Sequence, residues 1–266
     1  MFLLQEIPNN QPEDSSYFQY RQALNKKKIE FEIVTLKNNK ITFLNRDFTP
    51  KDINHEQHLQ KITAELFVPL GSISMKNLFA NVETNVFYKS LKSNNELFEI
   101  IPNSLWLNAG NATGLLKDLE TNLPTIFFRP VNTDKIINGQ ILTNHEFQQM
   151  KQSQNLKLHE ETFSISPVQD IKSESRFFIV KNKIITSSNY TKNKVFDKSG
   201  SVSKTKTNFV KKILEQYPEI GSSFVIDVCE LADGSMCIVE FNDIQASGTY
   251  SADAEKLIVA FNKLQI

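Results

Sequence analysis

The feature that most constrains the fold is a pair of apolar runs, FVIDVCEL and MCIVEFN, on either side of the dipeptide Asp233-Gly234. Aspartate and glycine tolerate the positive φ of a tight turn, so this arrangement is a strong local signal for a β-hairpin. A two-residue turn centred on the dipeptide pairs Asp227 directly with Glu240. The sequence therefore predicts antiparallel strands on which two carboxylates oppose each other.

The predicted hairpin also brings an amide to the two carboxylates, because Glu240 and Asn242 are two residues apart and share one face of their strand. Like charges at a directly opposed pair, about 4.5–5.5 Å apart at Cβ, repel each other. A cation is therefore expected. Two carboxylates and a carboxamide suit Mg²⁺ or Mn²⁺ better than zinc. The alternative is a hairpin whose Asp227 and Glu240 simply face solvent.

The same register makes a prediction about the other side chains of the hairpin. It places Val225 and Cys229 on the face of Asp227, and Ile238 on the face of Glu240. Cys229 and Cys237 then fall on opposite faces, so we expect no disulfide between them.

Composition and length exclude several classes of protein. The chain has 266 residues, and its 30 basic and 30 acidic residues give a net charge of zero, which disfavours bulk attraction to nucleic acid or to anionic membranes. No apolar run approaches the roughly 18 residues of a membrane span, and the N-terminal apolar run is too short for a signal peptide. We expect a cytoplasmic protein of one composite unit or two packed domains.

Apolar periodicity predicts the order of the elements. Short strands and helices alternate over the first hundred residues, which indicates an α/β domain. In the second block, NATGLLKDL is expected to be helical, TIFFRP and GQILTN to be strands, and HEFQQMKQ to be a helix. The third block contains four long strands, a basic loop and two amphipathic helices, the last of which ends the chain.

Three segments, FFRPVNTDKIINGQIL, SESRFFIVKNKIITSSNY and VIDVCELADGSMCIVEFNDIQASGTYSAD, resemble the ATP-grasp superfamily in their order and spacing. The pattern is most similar to that of ribosomal-protein glutamate ligases and of a group of ATP-grasp domains from bacterial and phage genomes. The resemblance implies an ATP-grasp fold, α/β and α+β in class. It implies a pre-ATP-grasp domain over residues 1–100, a central lobe over 101–166 and a C-terminal lobe over 167–266.

The resemblance assigns roles to residues that would bind Mg-ATP. Asp227, Glu240 and Asn242 match the aspartate and the Glu-x-Asn motif that bind the Mg²⁺ ions in that superfamily. Arg129 stands where relatives have a basic residue that contacts the nucleotide phosphates, and Lys135 lies in the following loop, which has Gly139 as its one glycine. The alternative for Arg129 is a charge at the surface end of a strand.

The resemblance also implies catalytic and hinge residues. Arg176 would face the transferred phosphate, with Glu174 orienting it, and Ser164, Ile165, Ser166 and Pro167 would form the hinge whose backbone binds the adenine edge. The lysine-rich segment Asn189–Lys206 would be a flap near the substrate or, alternatively, a solvated loop. Gln245–Ser251 is expected to line the substrate side.

The function implied by the resemblance is ATP-dependent ligation of a carboxylate to an amine through an acyl phosphate, with release of ADP and phosphate. The substrates would be small molecules or peptides, with no membrane partner. One alternative is a nucleotide-binding module without catalysis, which the glycine-poor phosphate loop favours. Another is transfer onto a protein or a nucleic-acid end, which the basic segment favours and the neutral net charge does not. The sequence leaves the oligomeric state open.

Overall fold

The computed structural model describes residues 1–6, 15–108, 111–131, 137–153, 155–192, 195–196 and 201–265, and these form three β-sheets with helices packed around them. The predicted Lys135 lies outside the described residues. No helix in the described ranges is both long and apolar enough to cross a bilayer.

The N-terminal sheet is mixed and has four strands in the order β3-β2-β1-β4. Its strands are β1 (Phe2–Gln5), β2 (Phe31–Lys37), β3 (Lys40–Leu44) and β4 (Val68–Leu70). The accompanying helices are α1 (Ser16–Lys27), α2 (His55–Thr63), α3 (Ile73–Leu78) and α4 (Asn94–Ile100). Because β1 is parallel to both β2 and β4, its carboxyl end and that of β4 meet at one edge of the sheet.

The central sheet is antiparallel, with the order β5-β8-β6-β7. It contains β5 (Ala112–Leu115), β6 (Thr125–Pro130), β7 (Gln140–Thr143) and β8 (Thr162–Pro167), with α5 (Asn144–Lys151) and α6 (Leu156–Glu160). Stacked phenylalanines fill its core, with the rings of Phe128 and Phe163 4.6 Å apart. The helix expected at NATGLLKDL is wrong, because this segment forms β5 and a short 3-10 turn. Gly114 and the β-branched Thr113 are weak helix formers, and the backbone pairs with β8 instead.

The C-terminal sheet is antiparallel, with the order β11-β10-β9-β12-β13. It comprises β9 (Ile171–Val180), β10 (Lys183–Lys192), β11 (Val195–Phe196), β12 (Ser223–Leu231) and β13 (Met236–Asn242), with α7 (Lys204–Gln216) and α8 (Ala254–Asn262). Strand β12 is apolar on both faces because both faces are covered. Val225 packs in a core shared with the N-terminal domain and α8, whereas Ile226 packs in a core shared with α7.

The predicted hairpin exists, and Asp227 pairs with Glu240 as predicted, but two irregularities combine to give that register. The turn has three residues instead of two: Leu231 pairs with Ser235, and Gly234 adopts φ 85°. A β-bulge at Val239 then shifts the pairing back by one residue.

The bulge corrects two of the predicted side-chain positions. Between the turn and the bulge, Cys229 pairs with Cys237 in register, so the two cysteines share a face instead of lying on opposite ones; both are free thiols. Ile238 packs in the core beneath α7 with Phe241, on the face away from Glu240. A one-residue shift in register exchanges the faces of every side chain it affects.

Candidate functional site

A row of charged and polar side chains crosses the C-terminal sheet where β9, β12 and β13 run side by side. Arg176 pairs with Asp227 in register, and Asp227 in turn pairs with Glu240. Asn242 lies two residues beyond Glu240 on the same face. The structure therefore brings together the three predicted metal ligands and the predicted catalytic arginine.

The centre of this row is a buried ion pair. Arg176 Nε donates to Asp227 Oδ1 at 2.9 Å and Nη2 donates to Oδ2 at 2.7 Å, a bidentate arrangement in which Asp227 is 0% and Arg176 8% exposed. Burial raises the pKa of Asp227 to about 6; the Arg176 bonds oppose this shift and the neighbouring Glu240 carboxylate adds to it. Two negative charges thus meet one positive charge, so the cation expected from the sequence is supplied in part by the protein itself.

Arg176 is held from two further sides by the loop that follows β13. Its Nη1 donates to the carbonyl of Gly248 at 3.1 Å, and its guanidinium lies over the ring of Tyr250 at 5.0 Å. The prediction that Glu174 orients Arg176 is wrong in the described contacts. Glu174 instead accepts a hydrogen bond from Thr191 at 2.7 Å, and Asp227 has the orienting role.

The open end of the row is formed by Glu240 and Asn242. Asn242 Nδ2 donates to Glu240 Oε1 at 2.9 Å and to Asp227 Oδ2 at 3.3 Å. Among the described contacts, this leaves Asn242 Oδ1 and the second oxygen of Glu240 without a protein donor. Both are hard oxygen ligands of the kind that Mg²⁺ takes. Asp227 fits a metal less well than predicted, because its two oxygens already accept three N–H groups. The described residues contain no cluster of three acidic, histidine or cysteine side chains around a metal position.

Two neighbouring cavities separate the central sheet from the C-terminal sheet. One, of about 510 Å³, is lined by the connection after β8 together with Glu174 and Thr191. The other, of about 570 Å³, reaches Asn242. Arg129 and Glu240 line both cavities, one from each sheet. Gly139 allows the chain to approach closely here, since a Cβ at this position would lie 2.8 Å from the ring of Phe127.

The predicted hinge is displaced along the chain. Ser164, Ile165 and Ser166 lie inside β8, which pairs with β5 on one side and β6 on the other, so their backbone groups belong to the sheet. The connection to β9 is formed by residues 168–170, and Val168 and Gln169 line the 510 Å³ cavity beside Pro167. A strand and a hinge rich in β-branched and small residues look alike in one sequence, which explains the displacement.

The predicted basic flap ends earlier than expected. α7 begins at Lys204, and Lys206 is 2% exposed beneath it, where its Nζ donates to the hydroxyls of Ser173 and Ser175 at 2.7 and 3.0 Å. Burial lowers the pKa of Lys206. Lys206 therefore anchors α7 to β9. Of the other flap lysines, Lys194 and Lys198 lie outside the described residues.

Gln245–Ser251 lies against the start of α1 as well as against Arg176. The backbone N–H of Thr249 donates to Ser16 Oγ at 2.8 Å, and its hydroxyl donates to Gln19 Oε1 at 2.9 Å. The predicted substrate loop thus joins the C-terminal sheet to the N-terminal domain. Sequence reasoning misses Glu6, although a charged residue directly after a buried strand of a parallel sheet marks the edge at which such sheets bind ligands.

Comparison with known proteins identifies a family and a fold. The sequence model of an ATP-grasp domain family, described as the second family of its clade, matches residues 111–260. No curated protein sequence matches the chain.

Similar solved structures cover nearly the whole chain at low identity. D-alanyl-alanine synthetase A from Vibrio cholerae is 11% identical, with a TM-score of 0.60 over 99% of this chain and 98% of that one. The RimK domain ATP-grasp protein from Sphaerobacter thermophilus is 10% identical, with a TM-score of 0.60 over 98% and 99%. D-cycloserine synthetase DcsG is also 10% identical, with a TM-score of 0.60 over 99% of each chain. At such identities the likeness is one of fold.

Proposed function

Because the chain belongs to the ATP-grasp domain family whose model matches residues 111–260, we propose that it is a Mg-ATP-dependent ligase that joins a carboxylate to an amine. In this reaction a carboxylate oxygen attacks the γ-phosphorus of ATP and ADP leaves. The amine nitrogen then attacks the acyl phosphate, loses a proton, and phosphate leaves. The observation that carries the proposal is the pair of cavities between two sheets, which share Arg129 on one wall and Glu240 on the other.

The nucleotide would occupy these cavities with its base toward the connection after β8. Pro167, Val168 and Gln169 supply a mostly apolar wall for the adenine, and Glu174 supplies a carboxylate within the same cavity for the ribose hydroxyls. Arg129, at the boundary of the two cavities, would bind phosphate oxygens with its planar group of N–H donors. Lys135 remains a further proposed phosphate contact.

Glu240 and Asn242 are the residues proposed to hold Mg²⁺ (or Mn²⁺), since their unengaged oxygens face the cavities. Bound there, the ion would neutralise charge on the ATP phosphates. Asp227 would act on this centre indirectly, by fixing the amide of Asn242 so that Oδ1 points away from Asp227. This assignment narrows the predicted set of three ligands to two direct ligands and one positioning carboxylate.

Arg176 is proposed to stabilise charge on the reacting carboxylate and phosphate. Asp227 and Gly248 hold its guanidinium on opposite sides, so the group is fixed before the substrate arrives. A fixed cation in a site that excludes water needs no reorganisation during the reaction, and such preorganisation supplies a large share of catalysis.

Calorimetric titration with a non-hydrolysable ATP analogue, with and without Mg²⁺, tests the proposal. We expect Mg²⁺-dependent binding in the wild-type protein and weaker binding in Arg129→Gln. No binding under either condition would contradict the proposed nucleotide site. ADP release stimulated by a carboxylate and an amine together would then test the ligase reaction itself.

A second candidate is a nucleotide-binding protein without catalysis. One observation favours it: Gly139, the one glycine near the phosphate-binding position, is packed against Phe127. This candidate expects the same titration result, with no ADP released by any mixture of carboxylate and amine.

A further inference from the structure

Buried polar atoms without a hydrogen-bond partner are concentrated on one side of the molecule. Among the described residues, four side chains carry such an atom: Glu6 Oε1, Tyr20 Oη, Asn111 Oδ1 and Gln245 Oε1. Glu6 ends β1, Tyr20 lies in α1, and the carbonyl of Gln245 accepts from the N–H of Gly71 after β4. All three therefore border the edge where the parallel strands of the N-terminal sheet end, away from the nucleotide cavities.

Glu6 is the costliest of these groups because it carries a charge. Its side chain is 3% exposed, and the nearest described cation, Arg21 Nη1, stands 3.5 Å from Oε1, beyond a good hydrogen bond. Arg21 is itself placed by two aromatic rings, with its guanidinium 5.4 Å from the Phe18 ring and 5.2 Å from the Phe48 ring. Burial raises the pKa of Glu6 and Arg21 opposes the shift, so compensation within the protein is incomplete.

Helix α1 connects this carboxylate with the catalytic end of the molecule. Burial and the charge of Glu6 raise the pKa of Tyr17, while the pKa of Tyr20, raised chiefly by burial, is lowered by Arg176. At the start of the helix, Ser16 and Arg176 Nη1 both approach Gly248, at 3.7 and 3.8 Å from the position of a Cβ on that residue. Glu6 and Arg176 thus border the same junction between the N-terminal domain and the substrate loop.

We propose that Glu6 binds a free ammonium group of the substrate that donates the carboxylate, so that the acyl donor is an amino acid or a peptide with a free amino group. The inference rests on the proposed ligase function. An ammonium supplies both the missing N–H donor and the missing positive charge, whereas a hydroxyl supplies only a donor. A carboxylate also stabilises the protonated form of a neighbouring amine, which then has no lone pair with which to attack an acyl phosphate. The bound ammonium is therefore a recognition group and not the reacting amine.

The test measures acyl transfer to hydroxylamine, which attacks an acyl phosphate to give a hydroxamate and phosphate and so removes the need to know the natural amine. The probes are glycine and the L and D forms of alanine, aspartate and glutamate, each compared with the acid that lacks its amino group: acetate, propionate, succinate and glutarate. In the wild-type protein we expect hydroxamate from one or more amino acids and little from the matching acid. Glu6→Gln should lower kcat/KM for that amino acid about 10- to 100-fold, as expected for loss of a charged hydrogen bond.

Stability separates recognition from a structural role. If Glu6 served only to pair with Arg21, Glu6→Gln and Arg21→Gln would both lower Tm, and activity would follow the folded fraction. The proposal expects Glu6→Gln to keep or raise Tm, because it removes an incompletely compensated buried charge. The matched control is Glu30→Gln, an exposed glutamate before β2, which should leave kcat/KM unchanged.

Two results would overturn the inference while leaving the proposed function intact. One is equal activity with amino acids and with their deaminated counterparts. The other is Mg-ATP binding without hydroxamate from any probe, together with no amino acid that raises Tm more in wild type than in Glu6→Gln. Absence of Mg-ATP binding would instead contradict the proposed function itself.

Discussion

The two halves of the polar row on the C-terminal sheet contain the same kinds of groups in opposite environments. Arg176 and Asp227 are fully desolvated and satisfy each other, whereas Glu240 and Asn242 line cavities and keep oxygens available. Strand position decides the difference, because β12 is covered on both faces and β13 is at the edge of the sheet. The comparison indicates that the closed half positions and the open half binds.

The largest expected effect is on the closed half. Asp227→Asn should lower the free energy of unfolding by about 3–5 kcal/mol, because it leaves the Arg176 charge buried without its counterion. The double variant Arg176→Met, Asp227→Leu should cost much less, since both charges are removed. Urea denaturation measures both.

The exposed pair Lys172–Glu230 joins the same two strands at 2.7 Å and is the matched control. Glu230→Gln should cost less than about 1 kcal/mol. If Asp227→Asn were no more destabilising than Glu230→Gln, the distinction between a closed and an open half would fail.

The pH dependence of stability gives a second, smaller effect. Since the pKa of Asp227 is raised from 3.8 to about 6, the folded state binds more protons than the unfolded state between these values. Its contribution to stability is therefore fully present below 3.8 and is lost as the pH rises to about 6, by at most about 2–3 kcal/mol. Subtracting the pH profile of the Arg176→Met, Asp227→Leu variant from that of wild type isolates this contribution; identical profiles would contradict the assignment.

The smallest effect on stability is expected at the open half. Glu240→Gln should change the free energy of unfolding by no more than about 0.5 kcal/mol, as is usual for partly exposed positions. It should nevertheless weaken Mg²⁺-dependent binding of the ATP analogue about 10- to 100-fold and leave metal-free binding unchanged. A large loss of stability with intact metal dependence would place Glu240 in the closed half.

Much of the site could be predicted because its residues lie on consecutive strands. A hairpin brings Asp227 and Glu240 together by local geometry alone, and the motif order around them agrees with the family that matches residues 111–260. The exact pairing could not be derived, because the three-residue turn and the bulge at Val239 compensate for each other only within the folded sheet. The same limit explains the wrong faces for Cys237 and Ile238.

The sequence by itself determined the hairpin, the grouping of Asp227, Glu240 and Asn242, and the ATP-grasp fold, because apolar periodicity and turn residues act over short distances. Only the tertiary structure decided which of these groups is consumed by an ion pair, that β8 is a strand and not a hinge, and that Glu6 is left without a hydrogen-bond partner for Oε1. Burial and partner choice depend on which faces of distant elements meet, in particular α1 against the loop after β13. No local pattern in the chain encodes that contact.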